Sequence, residues 1–301
     1  MNSFMSWVGG KKALRDEILR RFPLYYEKYI EVFGGAGWTL FHKPPGNDFE
    51  VYNDFNSLLV NLFRTVRDDP EGLKAHLKYV LNAREEFEYA RDALNLGLPA
   101  TPTQKAAWFY ITIRLSYGSA LTSYDAHPHD LRADFPLIDQ ASRRLAKVVV
   151  EHQSFEKLIP HFDSPVSFFY LDPPYHTTER YYKNVGKNGF TEESHILLRD
   201  ILLSSEMKGK FLLSYNDDPF VRELYDHPGI YIEPITRLNN IRQRYEPSCQ
   251  FSELFISNYD TSERGEYLKR LELETTQLTL FDQQTELNDE EELFYEIQSM
   301  P

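Results

Sequence analysis

Residues 70–147 contain only helical patterns, and they interrupt a chain in which strands alternate with helices on both sides. Before residue 70 and after residue 148, short β-prone segments are followed by amphipathic ones. Strands that alternate with helices favour a sheet covered by helices on its faces. The chain is therefore predicted to fold as an open α/β sheet into which a helical module is inserted.

The individual segments are predicted from apolar periodicity and from turn residues. Strands are expected at residues 29–33, 50–52, 148–151, 166–171, 210–215, 230–235 and 251–256. Helices are expected at residues 12–22, 57–66, 71–94, 103–117, 137–149, 192–203 and 219–225. A polar loop, 118–136, is expected between the last two helices of the inserted module.

The net charge is distributed unevenly along the chain. Of the formal charge of −13, residues 260–301 contribute −9, with twelve acidic and three basic residues, and the remaining residues contribute −4. Phosphate binding requires Lys and Arg, so a body this close to neutral is compatible with a modest number of phosphate contacts. The acidic tail is expected to stay off nucleic acid and to be flexible.

The cysteine count and the hydropathy of the sequence indicate the cellular compartment in which the protein is expected. Its one Cys cannot form an internal disulfide, and no run of 18 apolar residues or signal-peptide pattern is present. A hydrophobic share of 42% excludes wholesale disorder. We expect a cytoplasmic protein with no membrane partner.

The sharpest local signal is the turn that follows the apolar strand 166–171, where Asp172 precedes Pro173, Pro174 and Tyr175. The two prolines stiffen the turn and remove two backbone donors. The Asp172 carboxylate and the Pro173 carbonyl are adjacent acceptors beside an aromatic ring, which suits an exocyclic amino group on a planar base. A plain strand-terminating turn uses the same residue types, so this turn alone leaves both interpretations open.

A glycine-rich turn follows the first predicted strand and contains Gly35 and Gly37. Glycines at such a turn let a ligand approach the backbone. The dinucleotide-binding pattern is incomplete because Leu40 occupies its last position. Asp54, at the end of the next strand, lies where an acid that holds ribose hydroxyls is expected, although it could instead cap the following helix.

Motifs in a fixed order connect these signals. They are, along the chain, Trp7-x-Gly9-Gly10-Lys11, Phe33-x-Gly35-x-Gly37, Asn53-Asp54-x-Asn56, Ser154-Phe155, Asp172-Pro173-Pro174-Tyr175, Ser214-Tyr215-Asn216 and Glu253-Leu254-Phe255-Ile256-Ser257-Asn258. In this order the chain resembles the Dam-like DNA adenine N6-methyltransferases over about residues 4–258. The joint order is far more specific than any single motif.

The resemblance implies a Rossmann-like methyltransferase fold and a division of the chain. Residues 1–62 and 148–259 would form the catalytic domain, residues 63–147 a helical target-recognition insert, and residues 260–301 the acidic tail. An independent modification enzyme of the phage or prophage type is expected, with no nuclease domain in the same chain.

The resemblance implies S-adenosylmethionine as cofactor. Trp7 and Lys11 would line its methionine and carboxylate end, and Asp54 would accept hydrogen bonds from its ribose. Phe155 would stack on its adenine. The full expected cofactor set is Trp7, Lys11, Glu31, Phe33, Gly35, Gly37, Asp54, Ser154, Phe155 and Asp172.

Asp172, Pro173 and Tyr175 are the expected catalytic residues. The N6 amine of adenine is a poor nucleophile because its lone pair is delocalised into the ring. Acceptors on both N–H groups, supplied by Asp172 and the Pro173 carbonyl, would favour rehybridisation while Tyr175 stacks on the base. The amine is paired inside a duplex, so the nucleotide must be flipped out. No metal is expected, because a sulfonium is already an activated leaving group.

Double-stranded DNA is the expected partner of the insert and of segment 237–244. The candidate contacts are Arg114, Tyr117, Arg132, Arg143, Arg144, Lys147, Arg237, Arg242 and Arg244, although a solvated helix face is the more common role for any single arginine. Family members that read GATC typically carry Arg-x-x-aromatic-Asn-Gly. Here Arg114-Leu115-Ser116-Tyr117-Gly118-Ser119 lacks the Asn-Gly pair, so GATC is not the expected target.

The tail carries a second candidate interaction motif. Gln277, Leu278, Leu280 and Phe281 resemble the short peptide by which bacterial proteins dock on the replication sliding clamp. An accidental amphipathic turn is the alternative.

Three other functions stay open at this point. Cytosine N4 presents the same two N–H groups, although Asp rather than Ser at position 172 favours adenine. A catalytically silent DNA-binding or clamp-adaptor protein is disfavoured by the intact turn at 172–175. An NAD-dependent oxidoreductase is disfavoured by the incomplete glycine pattern.

Overall fold

The computed structural model describes residues 1–7, 9–119, 121–176, 189–238 and 250–269. Seven strands form one sheet in the order β3-β2-β1-β4-β5-β7-β6. The strands are β1 (Lys28–Glu31), β2 (Phe49–Asn53), β3 (Val149–Glu151), β4 (Ser167–Leu171), β5 (Lys210–Asn216), β6 (Tyr231–Leu238) and β7 (Gln250–Ser257). β7 runs antiparallel to both its neighbours, and the other pairs are parallel. The predicted α/β sheet is confirmed, and its strand order reverses between β1 and β4.

Helices connect the strands and form the insert. They are α1 (Arg15–Arg20), α2 (Trp38–His42), α3 (Ser57–Asp68), α4 (Pro70–Leu77), α5 (Arg84–Asn95), α6 (Pro102–Arg114), α7 (Phe135–Leu145), α8 (Phe155–Phe162), α9 (Glu192–Leu202) and α10 (Pro219–Tyr225). None of the described helices is long and apolar enough to cross a membrane.

The central strands are buried on both faces, which is why they read as continuous apolar runs. All five residues of β4 are buried. Successive side chains point to opposite faces, so Phe168 joins the core on one side of the sheet and Phe169 joins the core on the other. Helices α8, α9 and α10 cover the second face.

The insert helices cover the first face and share its core with the strands. Phe63 on α3 stacks on Tyr52 of β2, with ring centroids 3.9 Å apart and planes at 9°. Phe87 on α5 and Phe109 on α6 belong to the same continuous cluster. The predicted domain boundary at residue 62 therefore falls inside α3, because that helix packs against both the sheet and the insert.

A buried ion network ties the last insert helix to the sheet. The Arg144 guanidinium on α7 reaches both Glu50 carboxylate oxygens at 2.6 Å, and the Lys43 ammonium lies 2.9 Å from the same carboxylate. The Lys43 ammonium also lies 2.8 Å from Asp48. The side chains of Arg144, Glu50 and Lys43 are each 7% exposed or less. Their charges are therefore stabilised by the ion pairs among them rather than by hydration.

Two helical segments differ from the prediction. The expected helix 71–94 is two helices, α4 and α5. Asn82, between them, binds the loop 118–136: its Nδ2 donates to the His127 carbonyl, and the Tyr124 hydroxyl donates to its Oδ1. Helix α8 was not predicted, since Pro160 near its end disguises the apolar repeat of Phe155, Leu158 and Ile159.

Residues 262–269, inside the expected tail 260–301, form a helix, and residues 261 and 264 contact the body. The Arg264 guanidinium donates to the Pro23 carbonyl at 3.3 Å, and the Thr261 hydroxyl donates to Glu233 at 3.3 Å. The motif at Gln277, Leu278, Leu280 and Phe281 lies outside the described residues.

Candidate active site

A cavity of about 1050 Å³ lies over the carboxyl ends of the central strands, between the sheet and the insert. β1 and β4 are neighbours, with Glu31 opposite Tyr170, so this is the point where the strand order reverses. Ligands of open α/β sheets bind at such a point. Nine of the ten expected cofactor residues line the cavity, and they are Trp7, Lys11, Glu31, Phe33, Gly35, Asp54, Ser154, Phe155 and Asp172.

Gly37 is the expected cofactor residue that does not line the cavity. It has φ +65° and precedes α2, where its carbonyl accepts the first helical hydrogen bond, from Phe41. A glycine is required there because few other residues adopt positive φ. Its place in the motif therefore reflects backbone geometry at the start of α2.

The glycine turn after β1 is held against β2. Gly35 donates its N–H to Asp54 at 2.9 Å and accepts from the Tyr52 hydroxyl at 2.6 Å. At Gly34, a Cβ would lie 2.2 Å from the Tyr52 ring. The turn can approach β2 this closely only because Gly34 has no side chain.

Asp54 faces the cavity and also accepts the Asn56 N–H at 2.8 Å. Burial raises its pKa, although these two N–H donors oppose that effect. The helix cap is Asn56, whose side chain accepts from Leu58 and Leu59. The alternative role of Asp54 as the helix cap is therefore wrong.

Asn53 was missed as a site residue, although it braces three strand ends. Its Nδ2 donates to the Val32 carbonyl at 2.8 Å and to the Gln153 carbonyl at 3.1 Å, and its Oδ1 accepts from the Gln153 N–H at 2.8 Å. Gln153 is a hundred residues away in the chain, so nothing in the local sequence signals this contact.

Three phenyl rings form one wall of the cavity. Phe33, Phe155 and Phe190 lie with each pair of ring centroids 5.8 Å apart. Ser154 immediately precedes α8 and places Phe155 at the start of that helix. Phe190 was not predicted, because its segment carries no motif.

Asp172 follows β4 and is only 17% exposed. Its Oδ1 lies 2.7 Å from the Lys11 ammonium and accepts from the Ser214 hydroxyl at 3.3 Å. Burial raises the pKa of Asp172 to about 6, against the opposing effect of the Lys11 ammonium. The carboxylate is therefore mostly ionised at neutral pH, although its pKa lies only about one unit below that pH.

Tyr175 and Pro173 lie in the same turn, behind the cavity surface that Asp172 and Pro174 line. The Tyr175 hydroxyl donates to the buried Glu253 carboxylate at 2.9 Å. Burial raises the pKa of Tyr175 well above its ordinary value, so this hydroxyl stays a donor. β7 thus anchors the turn that follows β4.

Glu31 is a second buried acid in the cavity. Its carboxyl accepts from the Tyr29 hydroxyl at 2.7 Å. Burial raises its pKa to about 8, so Glu31 is mostly neutral at pH 7. A cation brought into the cavity would favour its ionisation.

The predicted DNA contacts differ in exposure and in the partners they already have. The candidate Arg144 is wrong, because its guanidinium is buried against Glu50. Arg114 makes two bonds, of 2.8 and 2.6 Å, to the buried carboxylate of Asp134, so its guanidinium already has a structural partner. Arg132 is exposed and pairs with the exposed Asp130 at 2.8 Å. Tyr117 is 62% exposed. Arg242 and Arg244, and the side chain of Arg237 on β6, lie outside the described residues.

The doubly wound sheet, with its site where the strand order reverses, defines an α/β enzyme whose helical insert covers the cavity. The D12 class N6 adenine-specific DNA methyltransferase family matches residues 7–243. A type II methyltransferase of Lactococcus lactis subsp. cremoris is 26% identical over 280 residues, which are 86% of this chain and 96% of that protein. A DNA adenine methylase of Haemophilus influenzae is 26% identical over 275 residues, 83% of this chain and 91% of that protein.

The chain belongs to the D12 class N6 adenine-specific DNA methyltransferase family. This confirms the family expected from the ordered motifs, together with the enzyme class and DNA as the substrate.

Proposed function

We propose that this chain transfers a methyl group from S-adenosylmethionine to N6 of an adenine flipped out of duplex DNA. The observation that carries the proposal is the position of Asp172, a largely buried carboxylate at the carboxyl end of β4 that faces the cavity. An acceptor of this kind is what a weakly nucleophilic amine requires.

The residues of the cavity fit S-adenosylmethionine by their chemistry. Asp54 supplies an acceptor for ribose hydroxyls, Phe155 an aromatic surface for a purine, and Lys11 a cation for a carboxylate. Glu31 and Asp172 are acids near which a cationic ligand is stabilised. When bound, the cofactor supplies an activated methyl group.

The turn after β4 performs the proposed recognition of the base. The Asp172 carboxylate and the Pro173 carbonyl accept the two N–H groups of the amine. The ring of Tyr175, whose face Lys11 covers in this structure, stacks on the base once that face is open. Glu253 positions Tyr175 through its hydroxyl. As an ionised carboxylate, Asp172 also stabilises the positive charge that develops on the amine during transfer.

The insert is proposed to recognise the DNA target. Tyr117 and Arg132 are exposed on the segment that connects α6 to α7. Arg114 is proposed to act by positioning that segment through Asp134, because its guanidinium already makes two bonds there.

Sequencing DNA from cells that express this chain tests the function. We expect N6-methyladenine at one short sequence, and none in the same cells without the gene. Methylation of cytosine N4 would support the alternative substrate, and unmodified DNA would contradict the proposal. The modified sequence would also identify the recognition site.

Sliding-clamp binding through Gln277, Leu278, Leu280 and Phe281 is a separate proposal. Its support is the residue pattern alone: two leucines and a phenylalanine in an otherwise polar, acidic segment. In a pull-down with purified clamp, the full chain is expected to be retained, whereas Leu280→Ala and Phe281→Ala are expected to lose retention. Equal retention of all three would contradict it.

A further inference from the structure

Lys11 lies inside the site rather than at its rim. Its side chain is 7% exposed, and its ammonium lies 2.7 Å from Asp172 Oδ1. The same nitrogen is 4.5 Å from the centroid of the Tyr175 ring and 3.3 Å from the Gly9 carbonyl. The ammonium thus touches both a carboxylate and an aromatic face.

These two groups are the ones that the proposed function assigns to the adenine. We call the Asp172 carboxylate and the adjoining face of Tyr175 the amine seat. An ammonium and an exocyclic amino group make similar demands, N–H donors toward a carboxylate and contact with a ring. Both cannot occupy the seat, so Lys11 closes it to the base.

We propose that Lys11 is an exchangeable counter-ion that closes the amine seat until the carboxylate of the cofactor draws it away. The base can then enter only after the cofactor has bound. This inference rests on the proposed function, and it adds an order of events and a second role for Lys11.

The charges around the seat determine what the exchange does to Asp172. Glu31 and Glu253 also lie near Asp172. Lys11 is the cation in contact with the Asp172 carboxylate, whereas Arg144 acts on Glu31. When the ammonium moves to the carboxylate of a ligand that has no sulfonium, Asp172 loses its neighbouring positive charge while it remains buried. Burial then raises its pKa further above the ordinary value, because the opposing Lys11 charge is gone, and the group takes up protons at pH 7.

Proton uptake can be counted by titration calorimetry at pH 7 in buffers of different ionisation enthalpy. The probe is S-adenosylhomocysteine, which carries the carboxylate but no sulfonium charge that could replace Lys11. The comparison ligand is methylthioadenosine, which has the same nucleoside but lacks the α-carboxylate and the α-ammonium; the Lys11→Met variant shows which part of the difference depends on Lys11. The wild-type protein is expected to take up a fraction of a proton more with the first ligand than with the second.

Three variants test whether the proton uptake comes from Asp172 after Lys11 has moved to the ligand carboxylate, or from another group. Asp172→Asn keeps the shape of the side chain and is expected to remove the difference between the ligands. Lys11→Met is expected to remove it too and to bring the two affinities together. Lys12→Met is the matched control, since Lys12 is exposed and lies over Trp38, and it should behave as the wild type.

An Asp172→Asn variant that takes up as many protons as the wild type would overturn the proposal, as would equal proton counts for the two ligands. Either result leaves DNA methylation by the wild type untouched. Failure of the proposed function would look different, because S-adenosylhomocysteine would then not bind at all. Thermal unfolding of each variant checks that the fold is retained.

Discussion

Asp172→Ala is expected to lower the rate of methyl transfer to DNA by about a thousand-fold or more. The variant loses the proposed acceptor of the amine and, with it, the buried negative charge that is proposed to stabilise the developing positive charge. Transfer of labelled methyl groups under single-turnover conditions measures the effect. Cofactor binding by the variant shows whether the cavity survives.

Two further variants make this prediction sharper. Asp172→Asn keeps a carbonyl acceptor without the charge, so it should retain more activity than alanine while remaining far below the wild type. Ser214→Ala removes only the 3.3 Å hydroxyl contact to Asp172 and should cost about tenfold or less. An Asp172→Ala rate within tenfold of the wild type would show that the reacting amine is held elsewhere.

The same carboxylate determines the pH dependence. Burial raises the pKa of Asp172 to about 6, and the ionised form is the one that accepts the amine and stabilises positive charge. Methyl transfer is therefore expected to fall as the pH drops through about 6, and to be restored on return to neutral pH. A rate that stays constant down to pH 5 would exclude the ionised carboxylate as the working form.

Glu50→Ala is expected to lower the free energy of unfolding by about 3–5 kcal/mol, the largest stability effect that we predict. The change removes the carboxylate that Arg144 and Lys43 share, and it leaves two buried cations without that partner. Urea unfolding followed by circular dichroism measures the loss. Hydrogen exchange should show it first in α7, which carries Arg144.

Glu88→Ala is the matched control for this loss. Glu88 and Arg84 form an exposed pair at 4.0 Å on α5, and removing one charge there should cost less than about 0.5 kcal/mol. If Glu50→Ala unfolds within about 1 kcal/mol of the wild type, water or local rearrangement satisfies the cations and the network is not a structural clamp.

The fold and most of the cavity were predictable because their signals are local. β4 is five consecutive buried residues, and the turn at 172–175 follows it directly in the chain. The glycine turn and Asp54 follow β1 and β2 in the same way. Parallel strands bring their carboxyl ends to one edge, so residues after different strands meet without any further signal.

The residues that were missed depend on contacts between distant parts of the chain. Asn53 bonds Gln153, and Glu253 receives the Tyr175 hydroxyl from 78 residues away. Arg114 shows the opposite error, because an arginine suited to DNA by composition is held by Asp134, twenty residues on. Sequence alone cannot tell a charge that faces solvent from one that has found a buried partner.

The shared core beneath the insert limits how this enzyme could change its target sequence. Phe63 stacks on Tyr52 of the sheet, and Arg144 binds Glu50 at the start of β2. A foreign insert would lack the side chains that complement the sheet. The apolar surface around Tyr52 would then be uncovered, and the buried Glu50 carboxylate would lose its Arg144 partner. If the exposed segment between α6 and α7 reads the DNA as proposed, new specificity is accessible there by point changes or loop replacement, and not by exchange of the whole insert.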